Sequence, residues 1–275
     1  MSKVTSIHQA HHHASPQGET LLCLHCSGSS GRQWDAYPAL LPAGTRVIAP
    51  NLLGYDSMAE WPLGKPVAPQ DEALRIATDH LAGIAGGVHV LGHSYGGWVA
   101  LQLALRWPHL VRSVTVYEPV CFGLLRSHSD QPDVQPIFNV AQQVWRLTVS
   151  RCFAAAAEVF IDYWSGAGTF ARMPKKRQDM AALRMPKISA EFSALFADQV
   201  PLTAYADLRM PVHLLRGTRS PKPVLHAANL LEQGCPQART TSFEGLGHMG
   251  PVEAPARIAE MMEWIGELAQ LPKAA

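Results

Sequence analysis

The sequence predicts an α/β fold: a doubly wound, mostly parallel sheet with helices on both faces and an inserted helical segment. Three observations predict it. Short apolar runs of strand length alternate with stretches of helical period. The central runs among them are mostly apolar, as suits strands covered on both faces. The alternation then stops between Pro119 and Pro201, where helical patterns follow one another with no strand between them.

The expected strands are residues 20–26, 46–49, 88–92, 113–118, 212–217 and 240–244. A polar pair before Gly18 suggests an added antiparallel edge hairpin. Residues 71–84 place Leu74, Ala77, Leu81 and Ile84 on one helical face. Residues 96–107 are mostly Ala, Leu and Val, the composition of a buried helix. Residues 254–268 carry Ile258, Met261, Met262, Ile265 and Leu268 at helical spacing, the Met pair being read as core. Inside the insertion, helices are expected at about 134–149, 152–164, 175–183 and 189–197. The resulting division is a core of residues 1–118 and 206–275, with residues 119–205 as a helical cap.

Composition narrows the function classes. The chain has 275 residues, 47% of them apolar and 16% charged, which suffices for a sizeable core. Net charge is +1 and no basic stripe occurs, so nucleic acid is not an expected partner. The one dense basic cluster, Lys175, Lys176 and Arg177, follows Pro174 and reads as a solvated turn. No run of 18 apolar residues is present, so no membrane span is expected. Residues 1–14 are polar and His-rich without the apolar centre of a secretory signal, so the expected location is the cytoplasm. Five cysteines do not suggest a disulfide framework, and Cys23 and Cys26 read as two core thiols on a strand. His11, His12 and His13 are adjacent on an extended segment and point to opposite faces, so no metal site is expected there. A monomer and a homodimer both remain open.

The chemistry begins at Gly92-His93-Ser94-Tyr95-Gly96, a G-x-S-x-G between an apolar strand and a helix. A serine on a tight strand-to-helix turn is strained and exposed, and the helix N-terminus adds partial positive charge near a developing oxyanion. A serine hydroxyl is a poor nucleophile without a base. His248 lies in Glu244-Gly245-Leu246-Gly247-His248, between the last expected strand and the last helix. That loop emerges at the same end of the sheet as Ser94.

These residues resemble the α/β-hydrolase family, and the likeness covers nearly the whole chain. Residues 24–34, beginning Leu24-His25-Cys26-Ser27, look like the family's oxyanion loop. Residues 48–55 resemble the next strand and its turn, with Asn51 where the family often has Asp. The resemblance implies an oxyanion hole made of the backbone N–H groups of Ser27 and Tyr95, and no metal or organic cofactor. The family usually places the triad acid three residues after Gly217, where this chain has Ser220, which cannot hold the charge that stabilises an imidazolium. Some relatives carry the acid one strand earlier, and that position here is Glu118. The order Ser94, Glu118, His248 keeps the family's chain order. Asp207 precedes its strand and belongs to the wrong end of the sheet; a dyad without an acid is the remaining alternative.

The expected activity is hydrolysis of an ester or related acyl bond through an acyl-enzyme on Ser94. The expected partner is a small-molecule substrate with an apolar or aromatic part. The cap is rich in bulky apolar residues: Phe122, Leu124, Leu125, Phe138, Trp145, Phe160, Trp164, Phe170 and Phe192. Trp34 and Tyr95 are further candidate pocket walls and substrate-binding residues. Carbon–carbon bond hydrolysis, thioester or lactone cleavage and acyl transfer use the same triad and stay open. An alternative of another class is a ligand-binding sensor on a hydrolase scaffold.

Overall fold

A computed structural model describes residues 19–55 and 61–262. Six parallel strands make the sheet: β1 (Thr20–Leu24), β2 (Arg46–Ile48), β3 (Val88–His93), β4 (Val111–Tyr117), β5 (Val212–Gly217) and β6 (Arg239–Phe243). Their order is β2-β1-β3-β4-β5-β6. The chain steps outward from β1 to β2 and then returns past β1 to β3. The loops after β1 and β3 therefore part in opposite directions, and that divergence leaves a crevice at the carboxyl ends of the strands. The expected strands are all present, most shifted by one or two residues at an end.

Both faces of the sheet are covered, as the mostly apolar central runs predict. Along β1 the side chains alternate: Leu22 and Leu24 join one buried cluster with Val90, Val114 and Val116, while Leu21 and Cys23 join another with Leu91, Leu215 and Phe243. Helix α1 (Pro69–His80) and helix α2 (Tyr95–Arg106) pack on the first face. Every residue of α2 from Tyr95 to Ala104 is buried.

On α1 the buried face differs from the expected one. Ala73, Ile76 and Ala77 point inward, with Leu81 just beyond the helix, whereas Leu74 is 48% exposed. The reason is Glu72, which turns inward because its two carboxylate oxygens accept the Leu53 N–H at 2.8 and 2.9 Å. That contact rotates the inward stripe away from Leu74.

Between β4 and β5 lie α3 (Gln135–Val149), α4 (Phe153–Ser165), α5 (Thr169–Arg172) and α6 (Lys175–Ala197), with no strand among them. Residues 175–197 form one helix where two are expected. Pro186 removes one backbone donor inside α6. The helix persists because Met185, Pro186, Lys187 and Ile188 are all buried, so packing holds the turn that proline weakens. The basic triplet Lys175, Lys176 and Arg177 is exposed but helical, forming the first turn of α6.

Helix α7 (Lys222–Gly234) follows β5. The expected helix at 254–268 lies partly outside the described residues. Within them it is broken into α8 (Gly250–Glu253), α9 (Pro255–Ala259) and a final 3-10 turn, Glu260–Met262. The break follows from Pro255, which drives Ala254 out of the helical region, to φ −139° and ψ 58°. The expected N-terminal hairpin and the three adjacent histidines lie outside the described residues. No helix among the described residues is long and apolar enough to cross a membrane.

Candidate active site

Ser94 joins β3 to α2 with φ 55° and ψ −116°, a conformation that side chains rarely adopt. Its N–H donates to the Tyr117 carbonyl at 3.0 Å, which ties the turn to β4. The flanking glycines serve this turn by supplying room. A Cβ on Gly92 would lie 2.6 Å from the Gly96 carbonyl oxygen, and one on Gly96 would lie 2.3 Å from that of Leu24. Chain passes chain there without space for a methyl group, and Ser94 itself carries the strained torsion.

Ser94 and His248 line one cavity of about 610 Å³. His248 Nδ1–H donates to Glu118 Oε2 at 2.7 Å. Glu118 directly follows β4, has φ 47° and is fully buried. Its other oxygen, Oε1, accepts from the Gly217 N–H at 2.7 Å and from the Ser220 hydroxyl at 2.5 Å. Ser220, at the position where an acid is usual in the resembling family, thus donates to the carboxylate that stands one strand earlier. Arg216 at the end of β5 turns to Glu232 at 3.5 Å, and Asp207 is exposed at the other end of β5.

The His248 loop is held from several sides. The Tyr117 hydroxyl donates to the Gly247 carbonyl at 2.7 Å. His93 Nε2–H donates to the His248 carbonyl at 2.8 Å. The Trp164 ring from α4 lies over the imidazole, with centroids 4.1 Å apart. His93 in turn accepts at Nδ1 from the Gln33 amide at 3.1 Å, and the Gln33 carbonyl accepts the Cys26 N–H at 3.1 Å. A relay of three hydrogen bonds therefore links the loop after β1 to the backbone of His248. It requires a neutral His93, and burial holds that imidazole well below its ordinary pKa. Sequence reasoning missed Gln33 and His93, although both stand inside the motifs it quotes.

The loop after β1 is built around His25. That ring donates from Nδ1 to the Cys26 carbonyl at 2.8 Å and accepts the Leu52 N–H at Nε2, 2.9 Å. Asn51 holds the same loop by accepting the Gly31 N–H at 2.8 Å. Gly28, with φ 71°, donates to the Tyr55 hydroxyl at 3.0 Å, and its carbonyl accepts from Arg184 of α6. The Ser27 N–H has no hydrogen-bond partner among the described residues. The Tyr95 N–H opens α2 and so has no acceptor within the helix. Ser27 lines the cavity that Ser94 also lines, and Tyr95 directly follows Ser94 in the chain.

Two expected pocket walls lie elsewhere. Trp34 ends a short turn, Gly31–Trp34, that faces the sheet, and it is buried edge-on against Tyr37 with ring centroids 4.8 Å apart. The Tyr95 side chain lies beneath α6, against Trp98 and under the Lys187 ammonium, which sits 4.8 Å from its ring centroid. Neither side chain lines the cavity. Phe122, Phe160, Trp164 and Phe192 do, together with Met185 and Ile188.

An unforeseen charged pair is also buried here. Lys187 and Glu191 of α6 are each 1% exposed and meet at 2.8 Å. The ammonium lies over three rings, those of Tyr55, Trp61 and Tyr95. The Tyr55 hydroxyl donates to the same Glu191 oxygen at 2.8 Å. The available signal was a Lys–Glu pair one turn apart, in a stretch flanked by Met185, Ile188 and Phe192.

The buried histidines make stability depend on pH. Burial pushes His25 down to about 3 and His89 and His213 down to about 4. In the unfolded chain these imidazoles protonate near pH 6.5. Below that value the unfolded state binds protons that the fold excludes. Stability is therefore complete above about pH 6.5 and falls as the pH drops, by about 1.4 kcal/mol per pH unit for each group still neutral in the fold. Urea midpoints measured between about pH 7 and about pH 5 are expected to fall steeply. A midpoint that stays level would show that these rings are not held neutral.

A sequence profile described as "Alpha/beta hydrolase family" matches residues 21–261. The chain belongs to the alpha/beta hydrolase family. This alpha/beta hydrolase is 29% identical over 251 residues to a pimeloyl-[acyl-carrier protein] methyl ester esterase of Aromatoleum aromaticum, covering 88% of this chain and 96% of that one. It is 25% identical over 264 residues to a 2-hydroxymuconate semialdehyde hydrolase of Pseudomonas putida, covering 91% and 88%. Among solved structures, a thermophilic esterase from Thermogutta terrifontis superposes with a TM-score of 0.68 at 22% identity, covering 94% and 97%. At that identity the last likeness speaks for the fold alone.

Proposed function

We propose that this alpha/beta hydrolase cleaves a carboxylic ester or related acyl bond of a small apolar or aromatic substrate through an acyl-enzyme on Ser94. The observation that carries the reading is the buried Glu118–His248 hydrogen bond of 2.7 Å, beside a cavity that also contains Ser94 on its strained turn. In this reading His248 takes the Ser94 proton as Oγ attacks the carbonyl carbon. The oxyanion rests on the N–H groups of Ser27 and Tyr95. The leaving alcohol departs with the proton from His248. A water molecule, deprotonated by the same imidazole, then attacks the acyl-enzyme and releases the acid and free Ser94. Glu118 fixes the tautomer of His248 and stabilises the imidazolium formed at each attack. The reading takes residues 1–118 and 206–275 as the catalytic core and residues 119–205 as a cap that shapes the substrate cavity.

Carbon–carbon bond hydrolysis is the second reading. The relative named for 2-hydroxymuconate semialdehyde favours it, and the same triad suits it.

A chain-length series of p-nitrophenyl esters, given to wild type and Ser94→Ala, tests the proposal. The expected result is turnover in wild type and its loss in the variant, with the preferred length sizing the cavity. Turnover that persists in Ser94→Ala would remove Ser94 from the mechanism. No turnover on any ester would favour carbon–carbon cleavage, or a sensor that binds without reaction.

A further inference from the structure

Trp164 stands in the last turn of α4, among the helices between β4 and β5, and lines the cavity that Ser94 and His248 line. Its ring lies 4.1 Å from the His248 imidazole, centroid to centroid, with 31° between the two planes. Rings so close and so nearly parallel lie face on face, because an edge-on or side-by-side pair sits further apart. Two neighbours on the same helix hold the indole: Tyr163 meets it edge-on at 4.8 Å and Phe160 at 6.4 Å.

A large aliphatic side chain would fill that space as well. What sets an aromatic one apart is the charge that the imidazole acquires. His248 is 3% exposed, so water reaches little of the imidazolium formed at each attack. In the plane of the ring Nδ1–H is engaged by Glu118 at 2.7 Å, and Nε2 is the atom left to take the Ser94 proton. The His93 ring, 5.1 Å away, is held neutral by burial and brings no balancing charge. The electron-rich face of the indole attracts a cation within about 6 Å, and Trp does so best among the aromatic residues.

We infer that Trp164 stabilises the His248 imidazolium through the face of its indole, so that one wall of the cavity also speeds acyl transfer. The inference rests on the hydrolase reading above. A neutral imidazole gains little from the indole quadrupole and an imidazolium gains more, so the effect is larger in the transition state than in the ground state. Glu118 remains the counter-charge in the ring plane, and Glu253 of α8 and Arg177 of α6 line the same cavity. All of these groups stay constant when only the electrons of the indole are changed.

Trp164 is therefore replaced site-specifically by mono-, di-, tri- and tetrafluorotryptophan. Each fluorine draws electron density from the ring face and leaves its outline nearly the same, so folding is preserved across the series. On the fastest p-nitrophenyl ester, kcat is expected to fall stepwise, by about 5- to 30-fold from the indole to the tetrafluoro ring. Inactivation by a small alkyl fluorophosphonate should slow by a similar factor. There, too, Ser94 Oγ gives its proton to His248 as it bonds phosphorus and fluoride leaves, but no acyl chain is present. Rates that stay level or rise with fluorination overturn the inference and leave the hydrolase reading intact, with Trp164 as a packing wall. A fall seen with the ester and not with the fluorophosphonate overturns it as well, since the effect then belongs to substrate contact. If no ester is turned over but the fluorophosphonate reacts, its series alone decides. If neither reacts, the hydrolase reading falls and takes the inference with it.

Discussion

Glu118→Gln is expected to lower kcat by about three orders of magnitude or more while the chain stays folded. The geometry around the carboxylate explains the size of the loss. Two donors, the Gly217 N–H and the Ser220 hydroxyl, converge on Oε1. In the variant they fix the amide oxygen at that position and leave the NH₂ group facing His248. The imidazole must then accept at Nδ1, which moves its proton to Nε2. Such a ring cannot take a proton from Ser94, and no negative charge remains to stabilise an imidazolium. Steady-state kinetics on the fastest ester, with circular dichroism as a control, read the effect. Turnover close to wild type would remove Glu118 from the triad.

Lys187→Met destabilises the protein by about 3–5 kcal/mol. The substitution leaves the Glu191 carboxylate buried without its counter-ion and takes the cation from between three aromatic rings. Replacing both partners, Lys187→Met with Glu191→Leu, should recover most of the loss, because apolar residues of similar volume substitute well for a buried pair. Urea unfolding of the two variants gives the comparison. A single variant as stable as wild type would mean that the pair is not held as ions.

The central strands were legible because a strand covered on both faces is mostly apolar, as is β3, which is buried along its whole length. The placement of Glu118 against His248, with Ser94 beside the same cavity, was legible for a related reason: each sits where a strand ends and a turn begins, so local punctuation marks it. What escaped was direction and distance. Trp34 and Tyr95 stand beside the right motifs, yet the turns that carry them aim both rings into packed interior. The Gln33–His93–His248 relay joins residues far apart in sequence whose types are ordinary. Leu74 fits a helical stripe on paper, and only the Leu53 N–H waiting for Glu72 shows why the stripe lies elsewhere. Pro186 reads as a stop signal, and tertiary packing overrides it.

One feature of α6 bears on how this enzyme can be altered. Arg184 holds the Gly28 carbonyl, and Glu191 reaches the Gly28 N–H through the Tyr55 hydroxyl. The helix that lines the proposed substrate cavity is thus also a brace for the loop carrying Ser27. A chimera that borrows residues 119–205 from another family member to change selectivity would remove that brace along with the walls. Transplanted helices need an arginine and a tyrosine-bridged acid at the same two places, or the new chamber will face a loosened loop.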